Sequence, residues 1–291
     1  MKSIFQCISL LFLILSWLFF IQCSSDTGPG SSGPGMILDH SDIDLTNVEI
    51  QQIENAKAKL HIAYGHTSHG SQLVDGMHGL IDFKGETYVF NNGGNNGALD
   101  LRDTPFSGAS DLGAPDRTAW AEATRNYLID HQDINVIIWS WCGQVSSASE
   151  DDINTYLNLM TELEEEFPGV VFVYMTGHLD GSGEQGNLNQ RNEQIRTYCS
   201  ENNKFLYDFA DIESYDPDGD TNYMLLYAND ACNYDSDSDG TRDANWAEQW
   251  RETHIEGIDW YNCGSAHSDA LNANQKAYAA WKLWVTIAET M

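Results

Sequence analysis

Short apolar segments that alternate with helix-like segments are the feature that most constrains the fold of this chain. Each apolar segment is four to six residues long and leads directly into a polar turn or a new helix. Strands that are apolar almost throughout are typical of a sheet covered by helices on both faces. The alternation therefore predicts an α/β fold with a mostly parallel sheet. The predicted strands are residues 60–64, 87–90, 135–139, 170–175 and 204–207, and the predicted helices are residues 47–57, 115–131, 149–167, 188–200 and 271–290.

Polar turns directly follow four of these predicted strands, at residues 65–72, 91–97, 140–147 and 176–186. Ligands of parallel α/β sheets bind at the carboxyl ends of the strands. We therefore expect the four turns to meet at one edge of the sheet and to form the functional site there.

The turn at residues 65–72 carries two histidines, one threonine and two serines between an apolar strand and a sequence that can open a helix. This strand–turn–helix layout exposes a serine hydroxyl in α/β enzymes, and the helix amino terminus stabilises a developing anion. A polar loop after a core strand is the alternative interpretation. The turn by itself does not decide between them.

Four sequence blocks then occur in order along the chain. They are IAYGHTSHG at residues 62–70, NGGNNG at 92–97, SWCGQ at 140–144 and GSAHSD at 264–269. In kind and order, these blocks resemble those of the SGNH/GDSL hydrolase superfamily of esterases and acetylesterases. The resemblance covers residues 58–291 and implies a three-layer α/β/α sandwich with a flavodoxin-like sheet.

The resemblance also implies catalytic roles. Ser68 is the predicted nucleophile, with Thr67 and Ser71 as lesser candidates, because one residue more than usual separates the serine from the preceding glycine. The backbone N–H of Gly94 is predicted to line the oxyanion hole, together with the side-chain amide of Gln144, which stands in place of the family's asparagine. The implied activity is that of a serine esterase that deacylates a carbohydrate or related polymer.

His267 is the predicted general base, because a serine hydroxyl needs a histidine within hydrogen-bond reach to take its proton. The aspartate that precedes this histidine in the family is replaced by Gly264. Asp259, Asp269 or a backbone carbonyl could orient the ring, and the sequence leaves these alternatives open.

Three further histidines, His66, His69 and His178, follow strands and are expected at the same rim. Imidazole is the commonest transition-metal ligand. However, the sequence has no HExxH motif of the kind that binds a catalytic zinc ion. A substrate-contacting role is predicted for His178.

An acidic insert at about residues 211–262 carries a second signal. Four of its carboxylates have the spacing of positions 1, 3, 5 and 9 of a calcium-binding loop, with a glycine at position 6 and Trp246 in place of the usual glutamate at position 12. A solvated acidic loop is the alternative interpretation. The prediction is a structural Ca²⁺ ion bound by Asp235, Asp237, Asp239 and Asp243.

The beginning of the chain is typical of an exported protein. Residues 1–23 resemble a signal peptide with an apolar run over 8–21, and the sequence around Cys23 resembles a bacterial lipoprotein cleavage site. A Gly/Ser/Pro-rich linker over residues 24–35 then leads into a domain over residues 36–291. A secreted or surface-anchored protein is expected, with membrane attachment only through a lipid at Cys23.

Charge and cysteine content bear on partners and bonding. A formal net charge of −30 argues against nucleic acid as a partner, since phosphate binding needs a basic face. Apart from Cys7 and Cys23, the chain has Cys142, Cys199, Cys232 and Cys263. Among the three possible pairing schemes we favour a Cys232–Cys263 disulfide, which would close the acidic insert.

A non-catalytic protein is the competing functional class. It would be a calcium-binding surface lipoprotein that holds a glycan at the same sheet edge. In either class, aromatic side chains near the turns could stack on sugar rings, and the alternative is that most of them belong to the core; the candidates are Trp139, Trp141, Trp246, Trp250, Trp260 and Tyr261. The two classes differ at Ser68, because only the enzyme needs its hydroxyl near His267.

Overall fold

A parallel sheet of seven strands lies at the centre of the computed structural model, which describes residues 35–291. The strands are β1 (Ile37–Leu38), β2 (His61–Gly65), β3 (Phe90–Asn91), β4 (Leu99–Asp103), β5 (Val136–Trp139), β6 (Val171–Met175) and β7 (Phe205–Tyr207). All the pairings between them are parallel, and the spatial order is β1-β7-β6-β5-β2-β4-β3. Without the two short edge strands β1 and β3, this is the doubly wound order 2-1-3-4-5.

Helices cover both faces of this sheet, so the predicted three-layer α/β/α sandwich is confirmed. Alternate strand residues divide between two buried cores, as the two-residue period of a strand requires. The helices are α1 (Ile50–Lys59), α2 (Ser68–Lys84), α3 (Ala119–Asp130), α4 (Glu150–Glu166), α5 (Asn187–Glu201), α6 (Phe209–Ile212), α7 (Trp246–Arg251) and α8 (Ala270–Thr290). Ile62 and Tyr64 of β2 pack toward α1, α2 and α8, whereas Ala63 packs toward α3, α4 and α5.

The helices α2 and α8 are in close contact. Gly76 of α2 passes so near α8 that a Cβ atom on it would lie 2.1 Å from the carbonyl oxygen of Ala273. Only a glycine allows this approach. The close packing holds the beginning of α2 next to the beginning of α8, where the segment with His267 enters the helix.

The predicted elements correspond well to the observed ones, with one important omission. All five predicted helices and four of the five predicted strands are present, with ends shifted by up to four residues. The fifth predicted strand, at residues 87–90, contributes only Phe90 to β3, because residues 86–88 form a 3-10 turn. The strand β4 was not predicted, because its sequence alternates leucine with Asp100 and Arg102. Asp100 is nevertheless buried, since His61, Arg102 and the N–H of Gly93 all bond to its carboxylate.

This extra strand moves the glycine-rich turn at residues 91–97 away from the predicted site. The turn joins β3 to the beginning of β4, and Asp100 lies beside His61, the first residue of β2. The turn therefore lies at the amino ends of the strands, and the expectation that all four turns meet at one edge is wrong. The loop at residues 104–114, which follows β4, takes its place at the carboxyl edge.

The favoured Cys232–Cys263 disulfide is also wrong, since all four cysteines within residues 35–291 are free thiols. Cys232 receives a contact from Asn272, whereas Cys263 receives one from Asn274. Two helical residues separated by one position point roughly 200° apart around the axis. The two sulfur atoms consequently lie on different sides of α8.

The aromatic residues predicted to stack on sugars are buried instead. Trp139 and Trp141 belong to the core under α3 and α4, and Trp246, Trp250 and Trp260 form a small separate core within the acidic insert. Tyr261 is buried between α2 and α8, with its hydroxyl on the carbonyl of Gly76. None of the six is available to a sugar at the surface.

The signal peptide at residues 1–23, the lipidation site Cys23 and nearly all of the linker over 24–35 lie outside the described residues. Within the described part, no helix combines the length and the apolar character needed to cross a bilayer.

Candidate active site

Ser68 is the first residue of α2 and lies directly beyond the carboxyl end of β2. Two glycines bring this turn onto the sheet. A Cβ atom on Gly65 would lie 2.2 Å from the ring of Trp139, and one on Gly70 would lie 2.2 Å from Oγ of Ser140. The turn therefore lies flat against β5, and Ser68 is held at the sheet edge with its side chain half-buried.

The structure brings Ser68 and His267 together. The Nε2 atom of His267 is 2.9 Å from the Oγ atom of Ser68, although 199 positions separate the two residues in the chain. His267 is exposed and has a left-handed backbone with φ of 64°. Such a conformation costs about 1–3 kcal/mol in a residue other than glycine and persists only where the surroundings fix it.

Side chains on both sides of His267 fix this backbone. The amide of Gln72 donates to the carbonyl of Ala266 at 2.6 Å. On the other side, the amide of Asn272 donates to Oγ of Ser268 at 2.8 Å. These two bonds restrain the turn from α2 and α8, and they replace the restraint that the predicted disulfide would have supplied.

Neither carboxylate predicted to orient His267 does so. Asp259 accepts the backbone N–H of Ile255 at 2.8 Å, and Asp269 both caps α8 and pairs with Arg251 at 2.7 Å. Within residues 35–291, the one hydrogen bond of the His267 ring is that with Ser68.

Of the two predicted oxyanion donors, the structure places only Gln144 at this edge of the sheet. Gly94 lies with Asp100 at the amino end of β4, so its N–H cannot reach Ser68. The amide of Gln144 donates to Oδ1 of Asp111 at 3.1 Å, while Thr67 Oγ1 donates to Oδ2 of the same carboxylate at 2.7 Å. Because Asp111 binds both side chains, Gln144 is fixed next to the turn and keeps a second amide hydrogen free.

The amino end of α2 supplies further donors. The first hydrogen bond of this helix runs from the N–H of Ser71 to the carbonyl of Thr67. The N–H groups of Ser68, His69 and Gly70 therefore have no partner inside the helix. Together with the helix dipole, they favour negative charge beside Ser68.

Two residues that the sequence did not assign to the site, Cys142 and Asp230, join the predicted His69 next to Ser68. The Sγ atom of Cys142 is 3.9 Å from Oγ of Ser68 and 3.3 Å from Nδ1 of His69. The other ring nitrogen of His69 is 3.0 Å from Oδ2 of Asp230. Cys142 could have been found from its position just after β5, but Asp230 comes from the acidic insert, and no local pattern points to it.

Three histidine rings are stacked at the site, with His69 in the middle. The ring centroid of His178 lies 3.7 Å from that of His69, and the two rings are 3° from parallel. On the other side, the ring centroid of His267 lies 4.6 Å from that of His69. The Nδ1 atom of His178 contacts the carbonyl of Leu179 at 2.9 Å. Burial of His69 lowers its pKa, and the neighbouring His178 acts in the same direction, against the opposing hydrogen bond with Asp230.

The third histidine predicted at this rim, His66, faces away from Ser68. Its Nε2 atom is 2.6 Å from Asp103, and its Nδ1 atom is 2.9 Å from the carbonyl of Thr67. A cavity of about 280 Å³ adjoins this side of the turn, and its lining includes Phe106 and Ser110 of the loop after β4. The cavity offers space for a small group next to the nucleophile turn.

The acidic loop brings three of its four predicted calcium ligands together. Carboxylate oxygens of Asp235, Asp237 and Asp239 all lie within 4.8 Å of one another. Asp243 is not part of this group. Its carboxylate accepts the N–H of Ser236 at 3.1 Å. The loop connects the two strands of a small antiparallel hairpin, β8 (Asn233–Tyr234) and β9 (Ala244–Asn245).

Neither the protein-family models nor the curated proteins with which the chain was compared gave a match.

Proposed function

We propose that this protein is a serine hydrolase of SGNH type that cleaves carboxylic esters. The observation that carries the proposal is the 2.9 Å contact between Oγ of Ser68 and Nε2 of His267 at the amino end of α2. A nucleophile within reach of a base, next to free N–H donors, is the arrangement that acyl transfer requires.

The reaction would proceed in two steps. His267 takes the proton of Ser68 as its oxygen attacks the acyl carbonyl, and then gives that proton to the leaving alcohol. In the second step, His267 takes a proton from the water that attacks the acyl-enzyme and then returns this proton to Ser68. The oxyanion would receive the backbone N–H of Ser68 and the free amide hydrogen of Gln144, and losing one such donor typically costs about 2.7–4 kcal/mol of barrier.

The proposed substrate is an acylated, above all an acetylated, carbohydrate or related polymer. This substrate class rests on the family resemblance. A sugar-stacking surface does not support it, because the aromatic residues expected to hold sugar rings are buried. His178 and the polar loop at residues 104–114 would contact the alcohol part of the substrate. We further propose a structural Ca²⁺ ion in the acidic loop and a secreted or surface-anchored location.

Hydrolysis of an aryl acetate tests the proposal. We expect the purified protein to release nitrophenol from 4-nitrophenyl acetate, and Ser68→Ala to lower the steady-state rate by at least about a hundredfold, since loss of a serine nucleophile can cost up to ~10⁶. His267→Gln should cause a comparable loss, because the serine then has no base.

Ser71→Ala is the matched control. Ser71 lies on the same turn of α2, and its hydroxyl is already engaged with the carbonyl of Ser68 and with Asp75. It should keep its turnover. Equal rates for wild type and Ser68→Ala would exclude Ser68 as the nucleophile, and no turnover of any ester or acetylated glycan would favour the non-catalytic glycan-binding protein.

A further inference from the structure

The proposed reaction uses Ser68 and His267, but the same edge of the sheet contains a second chain of groups that this reaction leaves unassigned. Cys142, His69 and Asp230 are joined by contacts of 3.3 Å and 3.0 Å in the order thiol, imidazole, carboxylate. This is the general order of a nucleophile, a base and the group that orients the base. Unlike His267, His69 has a carboxylate partner.

The hydrogen-bonding roles along this chain follow from the chemistry of its members. An ionised carboxylate can only accept, so Asp230 requires the proton of His69 to lie on Nε2. The Nδ1 atom of His69 then carries a lone pair, and this atom faces Sγ of Cys142. Burial lowers the pKa of His69, which keeps the ring neutral and able to accept a proton near pH 7.

The position of Cys142 sets it apart from the other cysteines of the described chain. Cys199 and Cys232 are buried, whereas Cys142 is half-buried at the sheet edge beside Ser68. Cys263 is equally half-buried, but burial raises its pKa to about 12, and its sulfur contacts the amide of Asn274 instead of a base.

We infer that Cys142 is a second nucleophile of this protein, activated by His69 and Asp230, and that it accepts acyl groups from carboxylic esters. The thiol proton passes to Nδ1 of His69, and the sulfur attacks the acyl carbonyl. The C–O bond to the alcohol breaks, and the alcohol leaves with the proton from His69. The product is a thioester on Cys142, which water can hydrolyse to restore the thiol. This step does not require Ser68 to be acylated.

Acetyl transfer to Cys142 can be followed separately from turnover at Ser68. The full-length protein and its Ser68→Ala variant would each be mixed with 4-nitrophenyl acetate, quenched and digested, and the acetylated peptides would be identified by mass spectrometry. We expect an acetyl group on Cys142 in Ser68→Ala, removable by hydroxylamine at neutral pH as a thioester is. Absence of acetyl-Cys142 from Ser68→Ala would overturn the inference, whatever the fate of Ser68 in the wild type.

Alkylation by iodoacetamide tests the activation without any ester. At pH 7, Cys142 should react at least about tenfold faster than Cys263 of the same molecule, because reactivity follows access to the thiolate. Asp230→Asn and His69→Gln should each slow Cys142 at least about tenfold and leave Cys263 unaffected.

A folding defect in Asp230→Asn or His69→Gln can be recognised from the same data. Asp230→Asn changes only one side-chain atom, and the unchanged rate of Cys263 reports an intact fold in either variant. If Cys142 reacts no faster than Cys263, or if neither variant slows it, the proposed activation is wrong. In the wild-type protein, acetylation of Cys142 without acetylation of Ser68 would refute the serine mechanism and keep this inference.

Discussion

His69 occupies the centre of the candidate site, between the rings of His178 and His267 and within reach of both Cys142 and Asp230. A proton on His69 would place a positive charge against two further imidazoles in a buried position. The folded protein therefore resists protonation of this ring. The same stacking holds the segments that carry His69, His178 and His267 in fixed positions relative to one another.

The resistance to protonation predicts a dependence of stability on pH. In the unfolded chain, His69 takes up a proton near pH 6.5. Because its folded pKa is lower, the unfolded state binds more protons below that pH, and the free energy of unfolding falls as pH decreases. This contribution is complete above about pH 6.5, and it is lost below that value by at most about 1.4 kcal/mol per pH unit.

Urea unfolding between pH 7.5 and pH 5 measures this effect. The wild type should lose stability more steeply than His69→Gln, in which the titrating ring is absent. His131→Gln is a suitable control, because His131 lies at the end of α3 and its ring, among the described residues, hydrogen-bonds and stacks only with Tyr127 of its own helix. Parallel slopes for wild type and His69→Gln would contradict the prediction.

The sequence indicated part of this site and missed the rest for physical reasons. Ser68 and His267 could be proposed because each lies next to a recognisable element, a strand–turn–helix and the closing helix. Asp230 comes from an irregular insert, 161 positions from His69, and only the folded chain brings them together. Cys142 follows β5, but four cysteines in one domain point first to disulfides, and its partner His69 lies 73 positions away.

Among the helices, α8 is unusual because its buried side includes polar residues. Lys276 is completely buried and pairs with Glu213, which follows α6, at 2.7 Å. Lys276 also bonds to Gln72 of α2, which holds the carbonyl of Ala266 beside His267. At the other end, Glu213 accepts the N–H of Leu179 beside His178. One buried network therefore connects the loops of both histidines.

This network makes stability sensitive to Lys276. We expect Lys276→Met to lower the free energy of unfolding by about 3–5 kcal/mol, because Glu213 would be left as a buried charge without a partner. Adding Glu213→Gln should recover part of the loss, since the neutral amide can still accept from Leu179. Denaturant unfolding of the single and double variants measures both effects.

Lys84→Met serves as the surface control, because Lys84 is exposed at the end of α2, and it should change stability by no more than about 0.5 kcal/mol. A double variant less stable than Lys276→Met alone would contradict the assignment of the loss to the uncompensated carboxylate.

The elements themselves show where sequence patterns succeed and fail. Strands such as β5 and β6 are apolar at every position because both of their faces are covered, so they were recognised. In β4, Asp100 is buried through bonds to Arg102 and His61, and its charge concealed the strand. That omission also misplaced Gly94, because the position of a turn depends on the strand that follows it.

At the scale of the whole molecule, a formal charge of −30 governs how the protein responds to salt. Mutual repulsion between like charges destabilises a compact state, and any added salt reduces it. Calcium must therefore be compared with sodium chloride at the same ionic strength before a specific effect is assigned to the acidic loop.

We expect calcium to raise the melting temperature beyond this general effect. An ion that binds only the folded loop stabilises by about 2.7 kcal/mol at a hundredfold excess over its dissociation constant. The double variant Asp237→Asn/Asp239→Asn should lose the specific increase, whereas Asp220→Asn, outside the three-carboxylate group, should keep it. Thermal unfolding in calcium, in chelator and in sodium chloride provides the measurement, and identical curves in all three would rule out the site.

The close packing of Gly76 on Ala273 has a consequence for how the protein is made. The bond from Lys276 to Gln72 spans 204 positions, so α2 leaves the ribosome long before the helix that covers it. At about 5–20 residues per second, roughly 10–40 s pass between the synthesis of the two. Throughout that interval the side of α2 that packs on α8 has no native cover, and a chaperone that shields it should raise the yield. Ser68 then meets His267, its proposed base, only in the last stage of folding.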